Sequence, residues 1–339
     1  MTTSPVRVAV DAMGGDHAPG RVVDGAVAAA RQGVAVTLVG RGADVRAALA
    51  AHPDVDTLDV SLVEAADVVG MDEAPAMALR RKPEASIRVA ASVVARGEAH
   101  ALVSAGHTGA TVVAAHAVFG MLPGVDRPAL APAIPTRTGM AVLLDAGATV
   151  ECRPPHLLQF GVMGSVYAEA LLGTTRPRVG VLSIGEEEGK GNELTREAYK
   201  LLKAAPVAFV GNVEARDVFS GVADVIVCDG FTGNVALKLS EGLVETVEEL
   251  LGAELASTFS SQVGSLLSRR AFRRFRKRLD YSEYGGAPLL GVSGLAFVCH
   301  GRSSVKAIRN AVVAASRFAA DGILTRVEQR VRETLTGDR

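Results

Sequence analysis

The stretch VRVAVDAMGGDHAPG, Val6 to Gly20, decides the fold. An apolar, β-branched run ends in a carboxylate and passes through glycines into the helical pattern Val22, Val23, Ala26, Val27 and Ala30. A strand, a tight turn and a helix in this order are the repeating unit of a parallel sheet. The order recurs: AVTLVG, HALVSAG, RVGVLSIG, PVAFVGN, DVIVCDG and LAFVCHG read as strands, each followed by a helical stretch. PEASIRVAASVVARG reads as a helix with Pro83 at its start and Gly97 at its end. The chain is therefore expected to be α/β, with a mostly parallel sheet covered by helices on both faces.

No internal repeat or low-complexity linker interrupts the pattern, so a single domain over residues 1–339 is expected. Its one departure is a helical protrusion over 243–281, where two long helical patterns run with no strand between them. A hydrophobic content of 48% is ample for a large core, and 36 glycines exceed the ~24 of average usage, consistent with many tight turns. Thirty-six basic and 37 acidic residues nearly cancel, which argues against a general nucleic-acid binder. Cys152, Cys228 and Cys299 are odd in number and lack metal-ligand spacing, as in a reducing cytoplasm; no metal is expected. The first residues have no basic segment ahead of a long apolar one, so no signal peptide is predicted. Ala99 to Val125 contains no Asp, Glu, Lys or Arg, but His100, Ser104, His107, His116 and three glycines split it into a short strand and a buried helix.

Five turns share one chemistry: GGDHAPG (Gly14–Gly20), SAGHTGA (Ser104–Ala110), GEEEGKGNE (Gly185–Glu193), DGFTGN (Asp229–Asn234) and CHGRSS (Cys299–Ser304). In parallel sheets ligands bind beyond the carboxyl ends of the strands, where glycines admit backbone N–H groups to an anion and helix N-termini favour negative charge. The turns thus propose a shared anion crevice; the plain alternative is that each merely closes a strand into a helix. GEEEGKG has the wrong spacing for a P-loop and no GxGxxG opens a helix, so ATP and NAD are poorly supported and no cofactor is expected.

VAVDAMGGDHAP, RPALAPAIPT, HLLQFGVMGSVYA, GEEEGKGNELTREAYKLL, GNVEARDVFSG, DVIVCDGFTGNVALK and GGAPLLGV, in this order over nearly the whole chain, resemble the bacterial phosphate acyltransferase (PlsX) family of phospholipid synthesis. The resemblance implies a Rossmann-like three-layer α/β/α sandwich akin to the isocitrate and isopropylmalate dehydrogenases. It implies transfer of a fatty acyl group from acyl carrier protein to inorganic phosphate, giving an acyl phosphate. It also implies a cytoplasmic homodimer, peripherally associated with the membrane near the glycerol-3-phosphate acyltransferase that consumes the product. The family usually has asparagine where this chain has His107 and Thr149.

Phosphate attack on a thioester needs a held anion and a stabilised oxyanion; the thiolate leaves without strong acid assistance. Lys190, flanked by Gly189 and Gly191, is a candidate for fixed positive charge on phosphate. Asn192 and Asn234 are candidate N–H donors, with helix capping the alternative for each. His17 is the candidate to orient or deprotonate phosphate, with Asp11 and Asp16 as orienting carboxylates or turn formers. Gly14, Gly15, Ser104, Gly106, Thr108, Asp229, Thr232 and Gly233 complete the expected phosphate-binding turns, with His300 and Lys238 in second rank and His107 weaker.

Within the protrusion, RRAFRRFRKR places Arg269, Arg270, Arg273 and Arg274 around Phe272 and Phe275, and Val263, Leu267, Ala271, Phe275 and Leu279 recur every fourth residue. The pattern is an amphipathic helix with basic flanks. Docking of the acidic carrier protein, contact with anionic lipid, and packing on the body or a dimer mate all remain open. Two other classes of function stand beside the transferase: a dehydrogenase of the isocitrate type, for which no metal-carboxylate set is assignable, and a non-catalytic membrane-docked scaffold, which leaves the glycine-rich turns unexplained.

Overall fold

The computed structural model describes residues 5–279 and 285–336. The opening stretch folds as read: β1 (Arg7–Asp11) runs through a turn into α1 (Gly20–Ala30). β2 (Ala35–Gly40), α2 (Gly42–Leu49), β3 (Val60–Glu64), α3 (Pro75–Arg81), α4 (Ser86–Ala95), β4 (Ala101–Ser104) and α5 (Thr108–Phe119) follow. Then come β5 (Ala129–Leu130), β6 (Ala133–Thr136), β7 (Gly139–Leu144), α6 (Pro154–Leu172), β8 (Arg178–Ser183), α7 (Glu193–Ala204), β9 (Ala208–Glu214) and β10 (Val225–Val227). α8 (Gly230–Ser257), α9 (Phe259–Leu279), β11 (Ala287–Leu290), β12 (Ala296–Val298), α10 (Val305–Ala320) and α11 (Ile323–Val331) complete the described strands and α-helices.

The strands form two sheets where one was expected. The first has seven strands in the order β3-β2-β1-β4-β12-β11-β5, parallel from β3 to β12 and antiparallel at β11 and β5. The second has five, β6-β7-β10-β8-β9, antiparallel only at β6. The segment RPALAPAIPT joins them: Ala131 N donates to Pro288 O of the first sheet, and Leu143 N of the second donates to Pro132 O. β3, β5, β6, β7 and β11 escaped the sequence reading. β5, β6 and β11 are four residues or shorter, and β3, β5 and β6 lie at sheet edges, where a weak apolar run suffices. PVAFVGN leads not into a long helix but into a single 3-10 turn, Ala215–Asp217.

Each sheet is covered by its own helices. α1 and α10 close one face of the first sheet over Val8, Val10, Val36 and Phe297; α4 and α5 close the other over Ala9, Val39 and Leu102. α6 is buried almost all round, as a helix between layers must be, and packs with α11 and Leu202 of α7 on the second sheet. The charge-free stretch from Ala99 divides into β4 and α5 as anticipated, and no described helix is long and apolar enough to cross a membrane. The second sheet's other face packs on Leu130, Ala287 and Val298 of the first sheet, on Val218 and Ala223, and on Leu237 at the base of α8. α8 runs on from this base to Ser257 and pairs with α9; Leu243 lies within α8, and Tyr281, the other expected bound of the protrusion, lies outside the described residues.

Candidate functional site

A cleft of about 460 Å³ opens between the two sheets at the carboxyl ends of their strands. The turn after β4 supplies Gly106, His107, Thr108 and Gly109, and the base of α8 supplies Asn234, Leu237, Lys238 and Glu241. His300, Gly301, Ser303 and Ala307 come from the turn into α10; Leu130, Pro132, Ala133, Ala146, Ala287 and Val298 give an apolar floor. Much of the wall is glycine and alanine, so the space is left by side chains that stop at Cβ or before it. Three of the five turns read from the sequence therefore meet here.

Local bonding shows why these turns hold their shape. His107 caps α5: its Nδ1 accepts from Gly109 N at 3.0 Å, the bond that the family's usual asparagine could also make. That bond assigns the proton of the neutral ring to Nε2, leaving a donor. Asp229 caps α8, taking Thr232 N at 2.8 Å and Thr232 Oγ1 at 2.7 Å, so both are committed to the helix start. Ser304 caps α10 through Ala307 N at 3.2 Å. Before it, Ser303 is 6% exposed and lines the cleft, and among the described residues its hydroxyl has no hydrogen-bond partner. His300 bonds Glu241 Oε1 at 3.0 Å, which ties the α10 turn to α8. The Lys238 ammonium has no hydrogen bond or ion pair among the described residues.

Asp145, absent from the sequence reading, organises the α8 side. Its buried carboxylate accepts from Leu130 N at 2.7 Å, Gly147 N and Ala148 N at 3.0 Å and Thr149 N at 2.6 Å. Desolvation pushes its pKa up to about 6 despite these four bonds. Gly233 sits so close beneath that a β-carbon would overlap the Asp145 carbonyl oxygen. Gly147, at φ +129°, lets the loop pass beside the Asn234 side chain, a conformation that favours glycine. Thr149 donates its hydroxyl to Pro128 O at 2.8 Å and is buried, so it serves the loop and not the cleft. One signal was available: LLDAG repeats the pattern of VAVDAMGG, an acid at the end of an apolar strand two or three residues before a glycine.

Other predicted residues lie elsewhere. Asp11 and Ser104 face each other under the β1 and β4 turns: Ser104 Oγ donates to Asp11 Oδ2 at 2.8 Å and accepts from Gly106 N at 3.1 Å. Both are buried, and burial raises the Asp11 pKa above its usual range; with Gly14 they line a void of about 10 Å³, room for about one water. Asp16 N donates to Gly301 O at 2.9 Å and Gly15 approaches the same oxygen, so this turn buttresses the α10 turn from behind. His17 is exposed, outside the cleft lining and without a side-chain hydrogen bond among the described residues. Gly189, Lys190 and Gly191 also lie outside the lining, on the loop after β8, and Asn192 is the N-cap of α7, accepting from Thr195 N at 2.9 Å. Arg269, Arg270, Phe272, Arg273, Arg274 and Phe275 lie on α9 in the arm.

The thiol lining the cleft, Cys299, is not activated, since burial pushes it up to about 12; Cys152, near Asp145 and outside the lining, is likewise pushed up to about 12. Among the described residues the acids that could gather around a metal are Glu186, Glu214 and Asp217. Arg216 already lies 3.9, 3.1 and 3.4 Å from them.

Comparison with known proteins adds four findings. The profile of the fatty acid synthesis protein family matches residues 6–326. A phosphate acyltransferase of Geobacter sp. (strain M21) is 53% identical over 334 residues, covering 98% of this chain and 95% of that one. Among solved structures, a phosphotransacetylase from Streptococcus pyogenes superposes with a TM-score of 0.61 at 15% identity, covering 94% of each chain. A 4-hydroxythreonine-4-phosphate dehydrogenase from Klebsiella pneumoniae does so at 0.52 and 14%, covering 93% of this chain and 100% of that one. At such identities these two establish the fold, a three-layer α/β architecture shared by acyl-transferring and dehydrogenase proteins.

Proposed function

The chain belongs to the fatty acid synthesis protein family and is an acyltransferase with phosphate as acceptor, and from that premise we propose that the inter-sheet cleft is where the acyl group crosses from a carrier-protein thioester to phosphate. The observation that carries this reading is the convergence of three helix starts, those of α5, α8 and α10, on one cleft with an unpaired lysine and an apolar floor. Aligned N–H dipoles and Lys238 suit a dianion; the alanine-rich floor suits an acyl chain.

In this arrangement Lys238, His107 Nε2–H and Ser303 hold phosphate, and Asn234 donates to the carbonyl oxygen as it becomes an oxyanion. A phosphate oxygen attacks the thioester carbonyl, a C–O bond forms, the tetrahedral intermediate collapses, and the C–S bond breaks with its electron pair on sulfur. A thiolate of ordinary pKa about 8.5 leaves without a strong acid, so no protein nucleophile is required. His17 and Lys190, outside the cleft lining, take a secondary part here. The test is to mix purified protein, acyl carrier protein bearing a long acyl chain, and phosphate, and to trap acyl phosphate with hydroxylamine. Absence of a phosphate-dependent hydroxamate would end the reading.

The arm suits assembly. On α8, Phe231, Val235, Leu239, Leu243, Val247 and Leu250 form an exposed apolar stripe, with Leu239 73% exposed. Phe259, Leu266 and Leu267, in the first half of α9, are likewise exposed. We assign the stripe to a second copy of the chain, forming a homodimer, and the α9 basic helix to anionic membrane surface. Changing Arg269, Arg270, Arg273 and Arg274 together to Gln is expected to abolish sedimentation with anionic vesicles at physiological salt, since ~1 kcal/mol per basic residue is lost. Soluble kinetics should persist; unchanged vesicle binding would return the helix to a packing role.

A further inference from the structure

β1 and β4 lie side by side and parallel, and their register sets Asp11 opposite Ser104, each the last residue of its strand. Register partners send their side chains to one face, so a carboxylate and a hydroxyl meet beneath the turns that follow. Both carboxylate oxygens accept: Oδ1 from Met13 N at 3.3 Å, and Oδ2 from Ser104 Oγ at 2.8 Å. With its proton spent there, Ser104 turns a lone pair to Gly106 N at 3.1 Å. Gly14 closes over the pair, since a β-carbon on it would stand 2.7 Å from both Asp11 Oδ2 and Gly106 N. The Gly106 N–H is thus a strut and not a donor to the cleft. The next two, of His107 and Thr108 at the start of α5, have no hydrogen bond among the described residues, and both residues line the cleft.

The second sheet holds a natural comparison. VLSIG at the end of β8 repeats LVSAG at the end of β4, a serine closing the strand two residues before a glycine. Ser183 stands opposite Glu214 of β9, but that carboxylate turns to Arg216 at 3.1 Å, and Ser183 Oγ is buried with no hydrogen-bond partner among the described residues. Gly185 lies outside the cleft lining. A serine alone therefore does not brace the turn after it; a carboxylate that takes its proton does.

We propose that Asp11 is a positioning residue for the phosphate acceptor: through Ser104 it fixes the Gly106 N–H, and with it the turn whose His107 and Thr108 N–H groups hold the anion. The proposal rests on the acceptor site assigned to the cleft above. Asp11 touches neither substrate. Its effect comes from preorganisation, because N–H groups hold an anion well only while the backbone that carries them is kept from turning away. On this assignment the acyl donor lies along the apolar floor and makes no use of the β4 turn, so the two substrates respond differently to a change at Asp11.

The test uses the full-length protein, the hydroxylamine assay with acyl carrier protein thioester and phosphate, and four variants. Asp11→Asn keeps the shape but presents an N–H where Ser104 needs an acceptor, and Ser104→Ala removes the link. Each is expected to raise the phosphate KM about tenfold, with the acyl-donor KM within about twofold. The double variant should match the larger single effect, because both changes cut one relay. Ser183→Ala should leave both constants within about twofold. A structural role alone would lower the urea midpoint and leave the phosphate KM in place, which would overturn the proposal. So would equal rises in both KM values, additive effects in the double variant, or the same rise with Ser183→Ala. Should Asp11→Asn fail to fold, Ser104→Ala carries the same expectation and the same failure. A wild-type protein that forms no phosphate-dependent hydroxamate would instead end the reading of the cleft on which this rests.

Discussion

The turn after β4 and the loop after β8 are alike on paper: each is glycine-rich and polar, closes a parallel strand and precedes a helix capped by its own side chain. In the folded chain they part. The β4 turn points into the cleft on a finished support, with Ser104 and Asp11 paired below it, His107 capping α5, and Pro75 of α3 against Gly109. The β8 loop is drawn the other way. Glu188 bonds Lys203 of α7 at 3.0 Å, Glu187 O accepts from Asn212 Nδ2 at 2.8 Å, and Glu186 leans to Arg216. Beneath it Ser183 Oγ and Asn212 Oδ1 are buried without partners. Glycine and polarity mark a turn; which way it faces is set by what braces it, and a fully paired turn is the better preorganised anion holder.

Substitutions on the two sides should therefore differ in size. The largest loss is expected for Asn234→Ala and Lys238→Ala, each lowering kcat/KM ~10²–10³-fold with an unchanged circular dichroism spectrum, as when a charge or donor on an oxyanion is removed. A loss below about threefold would break the contrast at its inner end. Lys190→Ala should cost about tenfold, measured at limiting and saturating phosphate. A loss equal to that of Lys238→Ala would mean that the β8 loop closes over the acceptor, and the two regions would then be one site.

Asp145→Asn tests the support beneath α8. An amide at this position points N–H at Thr149 N–H, so urea unfolding should show a stability loss of about 1–3 kcal/mol. Its pH dependence is a sharper readout. The folded pKa of about 6 lies above the ordinary 3.8, so the native state takes up a proton as pH falls between the two. This group therefore favours folding most fully below pH ~4, and that contribution is lost as pH rises through about 6. The wild-type minus variant difference should carry that slope; parallel curves would show that Asp145 titrates normally. The smallest effect is expected for His17→Ala, exposed and unbonded among the described residues, with turnover within about twofold and stability within ~0.5 kcal/mol. A hundredfold loss of turnover would bring the first turn into the chemistry.

Much was legible before any coordinates. VRVAVDAMGG and its successors carried the parallel α/β class, because a buried parallel strand must be an unbroken apolar run and its helix must show a 3.6-residue period. The split of Ala99 to Val125 was likewise local, and so was the chemistry of the turns. Asn192 shows the limit: an amide after a glycine serves equally as cap or donor, and the choice rests on whether Thr195 N lies within reach.

Strand order, the division into two sheets and the membership of the cleft belong to the tertiary structure. Asp145 draws donors from Leu130 through Thr149, His300 meets Glu241 across 59 positions, and Asp11 meets Ser104 across 93. Such pairings depend on how sheets stack and which loops brace one another. Local sequence sets a residue's propensity and charge, while its partner is chosen by packing energy summed over the whole chain.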